Sequence, residues 1–299
     1  MAGSRVVVVR AAGVMASGGA PGPAVLARMY ARGFALLSGP DGRPAEPTPL
    51  FRADDRVGIK VNTIGGRPLS TRPEVALALA RWLAGSGIPE KNVYIWDRTT
   101  RELRGAGYAT GAPRDGIKVI GTDADGVGYG PEPVPHLEVG SLFSSTLTEL
   151  VTASVSLAVL KDHGLAGLTA GLKNYFGAIH NPNKYHDSGC DPYVAQVFDA
   201  PPVKSRHRLS VIDALVVQFH RGPSYHAKWA AGFGGLIFSR DPVAADAVGW
   251  AVVDRLRTAA GLPTLAEEGR APKYLATAER MGLGRADPAD IETIEEEVA

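Results

Sequence analysis

The densest run of reactive side chains in the sequence lies between Lys161 and Asp191. Lys161, Asp162, His163, Lys173, Asn174, His180, Asn181, Lys184, His186, Asp187 and Asp191 stand there amid Gly and Asn residues. His180 and His186 are separated by Pro182, so they cannot be ligands on one helix face. Imidazoles from a loop can still converge, with His163 joining them from the end of a strand. Three imidazoles and a carboxylate such as Asp97 form a donor set suited to zinc, iron, nickel or manganese. Without a metal, the same segment offers a lysine and histidine acid–base site, because burial and like-charged neighbours lower a lysine's pKa. A third reading needs no turnover: the same charges hold a small anion or a metal ion. Against all three stands the structural role of loop histidines bonded to backbone carbonyls.

Other polar residues follow apolar runs directly. Lys60 and Asn62 supply a point charge and an amide donor for a carboxylate or phosphate. Asp97-Arg98-Thr99-Thr100-Arg101 sets a carboxylate beside two guanidiniums, with Arg98 as an anion clamp. The expected assignments are Lys161, His163, Lys173 and Asn174 for catalysis and Lys60, Asn62, Arg98 and Asn181 for substrate. His163, His180, His186 and Asp97 are the expected metal ligands. The turn Arg221-Gly222-Pro223-Ser224, flanked by His220 and His226, is placed to overhang such a site. The glycine turns at Gly65-Gly66 and from Gly164 to Gly171 match neither the P-loop nor the dinucleotide fingerprint, so NAD and ATP are not expected. No Gly-x-Ser-x-Gly elbow is present. Asp241 reads as a helix cap, and Cys190 lacks any feature that would activate a thiol.

The chain's 299 residues are 45% hydrophobic and 21% charged, with a formal net charge of +1. That balance argues against a nucleic acid as the main ligand. The single cysteine excludes an intramolecular disulfide and a cysteine-ligated iron–sulfur cluster. No apolar run approaches the roughly 18 residues that span a bilayer, so no membrane partner is expected. The start is too short in apolar residues for a signal peptide, which implies a cytoplasmic protein unless a leader precedes this sequence. The oligomeric state is open.

These residues need strands to carry them. Val6–Val9, Arg56–Val61, Asn92–Trp96, Ile117–Ile120, Ser154–Leu160, Arg208–Ala214 and Gly235–Phe238 read as buried strands. Pro23–Leu37 carries helical spacing, Pro40–Pro49 reads as a loop, and Thr169–Phe176 and Ala271–Met281 read as short helices. Ser70-Thr71-Arg72-Pro73-Glu74 looks like a helix start with a hydroxyl cap, the helix ending at Gly85. Asp241-Pro242-Val243 opens another. The strand–helix–strand order around Gly85 implies a parallel crossover, and ligands in such sheets gather beyond the carboxyl ends of the strands. The expected fold is α/β, a mostly parallel sheet with helices on both faces and room for a second, smaller lobe. Residues 1–299 are expected to form one domain.

Several phrases are together similar to a known family. VGIKVN (57–62), the Thr71-Arg72-Pro73-Glu74 helix start, VYIWDR (93–98), LKDHGLAGLTAGLKNYFGAIHNP (160–182) and SRDPVAADAVG (239–249) resemble, in order, domain-of-unknown-function family 362. Many of its members carry a ferredoxin-like module or an export leader, neither of which is in this sequence. A more distant resemblance is to nickel-dependent lactate racemase, through Thr71-Arg72-Pro73, Gly171-Leu172-Lys173 and His180. That resemblance implies Lys173 as the anchor of an organometallic cofactor and His163 or His180 as acid–base groups. The function expected overall is metal-assisted acid–base chemistry on a small carboxylate-bearing or enolisable substrate, as an isomerase, lyase or hydrolase.

Overall fold

The computed structural model describes residues 4–15, 20–38 and 50–299. The loop expected at Pro40–Pro49 lies outside the described residues. The valine run forms β1 (Ser4–Ala11), and α1 spans Pro23–Leu37. Then follow β2 (Val57–Lys60), α2 (Pro73–Gly85), β3 (Val93–Asp97), α3 (Thr100–Gly105) and β4 (Lys118–Gly121). β5 (Val134–His136) and β6 (Val139–Ser141) pair apart from the main sheet. The chain returns through β7 (Ala153–His163) and β8 (Gly167–Thr169), and then α4 (Tyr193–Asp199) and α5 (Pro201–Lys204). β9 (His207–Gln218), β10 (Ala230–Ser239), α6 (Pro242–Ala259), α7 (Tyr274–Arg280) and β11 (Ile291–Val298) complete it.

The main sheet has the order β11-β1-β10-β9-β7-β2-β3-β4, with β8 folded antiparallel onto β7. From β9 to β4 all neighbours are parallel. β10 is antiparallel to both β9 and β1. This is an α/β fold with a mostly parallel sheet. Alternation along β1 shows its two covered faces. Val7 and Val9 pack in one core with Leu26, Met29 and Phe34 of α1, whereas Val6 and Val8 pack in another with Val252 and Val253 of α6. Strands buried on both sides read as unbroken apolar runs, which is why β1 and β7 stand out in the sequence.

Three local expectations change. Lys161, Asp162 and His163 do not follow β7 but are its last residues, because β8 supplies them with a partner strand. Neither Ser70 nor Thr71 caps α2. Its N-cap is Arg72, with no side-chain bond, and the Thr71 hydroxyl instead donates to the Leu157 carbonyl and accepts from the Asn62 N–H. The helix expected at Thr169–Phe176 is the end of β8 followed by a 3-10 stretch at Lys173–Ala178. The acidic terminus is a strand, β11, parallel to β1, whose Glu292 pairs with Arg5 at 2.8 Å and whose Glu296 is clamped by Arg32. By contrast Asp241 caps α6 as expected, accepting from the N–H groups of Val243 and Ala244.

Candidate active-site cleft

From β2 the chain steps outward through β3 to β4, and then returns to lay β7 on the other side of β2. This reversal is the switch point at which α/β sheets leave a crevice beyond their carboxyl ends. A cleft of about 500 Å³ opens there. It collects Lys60 from the end of β2, Asp97 from β3 and Lys161 and His163 from β7, with Asn62, Arg98, Lys173, Asn174 and His186 from the segments that follow. Period-two alternation explains why Lys161 and His163 enter together while Asp162 turns away. Asp162 instead receives Arg270 at 2.8 Å and the Gly222 N–H at 2.7 Å.

Not all these groups are free to act. Lys60 is fully buried and donates to Asp97 at 2.6 Å, to the Val61 carbonyl at 2.7 Å and to Asn174 at 3.3 Å. Asp97 also accepts from the Arg98 N–H and, through its other oxygen, from the N–H and hydroxyl of Thr63. Asn174 donates to the Lys60 carbonyl and to Ser156, stitching β2 to β7. These three residues form a finished floor, so Asn174, expected to be catalytic, holds Lys60 in place. Arg98 is likewise engaged, by Glu102 one helical turn on; that bond raises its pKa.

Two ammonium groups of the cleft have no carboxylate partner among the described residues. Lys161 is 1% exposed and donates to the Asn62 side-chain oxygen at 3.1 Å and to the Leu69 carbonyl at 3.5 Å. Lys173 is 7% exposed, lies 4.3 Å over the Phe176 ring, and meets His186 Nε2 at 3.3 Å. Burial lowers both lysines to a pKa of about 8. For Lys161 the neighbouring Lys173 charge lowers it further, while Asp97 opposes.

The hydrogen bonds fix both histidine tautomers. His163 Nδ1 accepts from the backbone N–H groups of Leu165 and Ala166, at 3.3 and 3.1 Å. It therefore carries no proton, and the neutral ring presents Nε2–H. Burial, then the Lys173 charge, push its pKa down to about 3, so it stays neutral at ordinary pH. His186 is the reverse. Its Nδ1 lies 2.9 Å from the Pro182 carbonyl, which can only accept, so Nε2 holds the lone pair turned to Lys173. Burial, followed by the same lysine, lowers its pKa too. The two rings stack 5.8 Å apart.

The four expected metal ligands do not converge. Among the described residues no three His, Cys, Asp or Glu side chains are grouped to hold an ion. His163 has one nitrogen accepting from the backbone and the other protonated, and the Asp97 oxygens are taken by Lys60, Arg98 and Thr63. His180 is exposed, lies outside the cleft lining and packs edge-to-face on Tyr129. Asn181, expected to bind substrate, accepts from Ser141 at 2.6 Å and is also outside the lining. The residues present therefore do not fit a metal held by that set, nor a cofactor served by both Lys173 and His180.

Other elements hold or complete the cleft. Asp246 of α6 accepts from the N–H groups of Gly171 and Leu172 and so fixes the approach to Lys173. Pro223, Ser224 and Tyr225 line the cleft from the overhanging turn. Thr169, Phe176, Glu102 and Ile64 also line it. Of these only Thr169 and Phe176 lie within the reactive segment of the sequence.

Residues 57–251 match the family described as Domain of unknown function (DUF362). The chain belongs to this family. No curated protein matches it significantly. Among solved structures it is similar to the lactate racemase apoprotein from Thermoanaerobacterium thermosaccharolyticum, at 14% identity and a TM-score of 0.48, over 84% of this chain and 57% of that one. It is also similar to a structural-genomics protein from Thermotoga maritima, at 11% identity and a TM-score of 0.35, over 75% of this chain and 53% of that one. The DUF362 chain thus spans little more than half the length of either structure. Among its described residues no helix is long and apolar enough to cross a membrane.

Proposed function

We propose that this DUF362 chain is an enzyme that binds a small carboxylate in the cleft and moves a proton on the carbon beside it. The observation that carries this reading is the Lys173–His186 contact at 3.3 Å, where an ammonium faces the lone pair of a neutral imidazole inside a buried, carboxylate-poor site. Lys173, lowered to a pKa of about 8, loses its proton to solvent, and the free amine, with an N–H turned to His186 Nε2, serves as general base within reach of a bound substrate. Lys161, oriented by Asn62, holds the substrate carboxylate. The neutral His163 Nε2–H donates to the oxygen on which charge develops when the neighbouring C–H bond breaks. Lys60, Asp97 and Asn174 keep the floor rigid. Isomerisation and elimination both begin with this proton abstraction. No step is routed through a metal, because the proposed ligands do not converge.

Solvent deuterium exchange at C2 of a panel of 2-hydroxy acids and at C3 of a panel of 2-oxo acids tests the reading. Wild-type protein is expected to wash deuterium into at least one of them. Lys173→Ala is expected to slow this by about 10²–10⁴-fold, the usual contribution of a positioned base. Exchange that persists unchanged in that variant would rule the assignment out.

A further inference from the structure

The cleft holds three lysines, and their surroundings give them different capabilities. Lys60 has each of its N–H bonds taken by Asp97, Val61 and Asn174. Lys161 is oriented by two oxygen acceptors, Asn62 and Leu69, neither of which takes up a proton near neutral pH. Lys173 differs on every count. It is the most exposed of the three, the Phe176 ring covers one side, and its single described polar partner is a nitrogen able to accept a proton. An amine desolvated against an aromatic ring, beside a base and a second cation, is the arrangement in which a lysine acts as a nucleophile toward carbonyls.

We infer that Lys173 captures the carbonyl carbon of a 2-oxo acid as an imine, so that the substrates of this site are oxo acids processed through a covalent intermediate. The inference rests on the carboxylate-binding reading given above and changes the role of Lys173 from base to nucleophile, with His186 Nε2 beside it left to take the substrate proton. As the free amine, with an N–H turned to His186 Nε2, Lys173 bonds through its Nζ lone pair to the carbonyl carbon as the C–O π pair moves to oxygen. His163 Nε2–H donates to that oxygen, and a proton passes to it from the nitrogen. The hydroxyl takes a proton from solvent and departs as water while nitrogen closes the C=N bond. Amine and carbonyl give imine and water, with no change in oxidation state. Protonated, the imine withdraws electrons from the adjacent carbon and eases loss of a proton or of a carbon substituent there.

Borohydride-type trapping tests the step on the full chain. The protein is incubated with pyruvate or glyoxylate and sodium cyanoborohydride, and the adduct is mapped by peptide mass spectrometry. One carboxyalkyl group on Lys173, present in wild type and absent from folded Lys173→Arg, is the expected result. Lys161→Met should lower the labelling rate at Lys173 at least ten-fold while acetaldehyde labelling, which needs no carboxylate anchor, changes little. In parallel, thermal stabilisation of the wild type by pyruvate and by propionate reads carboxylate binding alone. Stabilisation by both acids with no adduct at Lys173 would overturn the covalent step and leave the acid–base reading standing. No stabilisation by either acid, with labelling scattered over surface lysines, would overturn both.

Discussion

At the scale of single residues, the cleft separates groups that look equivalent in the sequence. Three lysines and two histidines lie close together in the chain or at neighbouring strand ends, and only their hydrogen bonds distinguish them. Lys173 must lose a proton to act as a base, so the exchange rate is expected to rise as pH increases towards about 8. Lys161 must keep its proton to hold the carboxylate, so the rate is expected to fall as pH passes about 8. The Lys173 charge and Asp97 act on Lys161, and Cys190 acts on Lys173, so the bell near pH 8 belongs to the coupled group. His163, held neutral down to a pKa of about 3, adds no inflection near its ordinary value. A pH–rate profile of deuterium exchange checks this, and an inflection near pH 6.5 that disappears with His163→Asn would contradict the pinned tautomer.

At the scale of elements, strand ends position the chemistry and backbone contacts hold it. Gly222 shows how tightly the overhanging turn is seated. A Cβ built there would sit 1.8 Å from the Asp162 carbonyl oxygen, and Gly222 also donates to the Asp162 carboxylate at 2.7 Å. Gly222→Ala is therefore expected to push the turn off β7 and carry Pro223–Tyr225 out of the cleft. Substrate affinity should fall ten-fold or more while the melting temperature moves by only a few degrees; equal affinity in this variant would show that the turn does not shape the site. Strand ends were also what the sequence made legible. Lys60, Asp97, Lys161 and His163 each close an apolar β-branched run, and all four reach the cleft. His180 was misplaced because nearness to His186 along the chain says nothing about direction. The turn at Pro182 sends one ring inward and leaves the other against Tyr129. β11 was hidden because its outward positions are glutamates, whose arginine partners lie hundreds of residues away. The histidine tautomers depend on the Leu165, Ala166 and Pro182 backbone, which no residue type announces.

For the whole molecule, a site built from buried, unpaired ammonium groups is a cost to the fold. Lys173 is lowered from its ordinary 10.5 to about 8, and a gap of that size corresponds to about 3 kcal/mol. Because the folded pKa is the lower one, the unfolded chain binds more protons between about pH 8 and 10.5. Stability therefore rises with pH across that window, and the penalty is fully present below it. Lys173→Met removes the charge and sets a thioether against Phe176, leaving only the half-buried His186 Nε2 to find water. This variant is expected to be more stable than wild type by about 1–3 kcal/mol at pH 7, with most of the gain gone by pH 10.5, while losing deuterium exchange and imine trapping together. Natural proteins trade stability for reactive sites in this way. Urea titrations at both pH values decide it: a variant less stable than wild type at pH 7 would mean that Lys173 is a supporting strut of the fold and not its reactive amine.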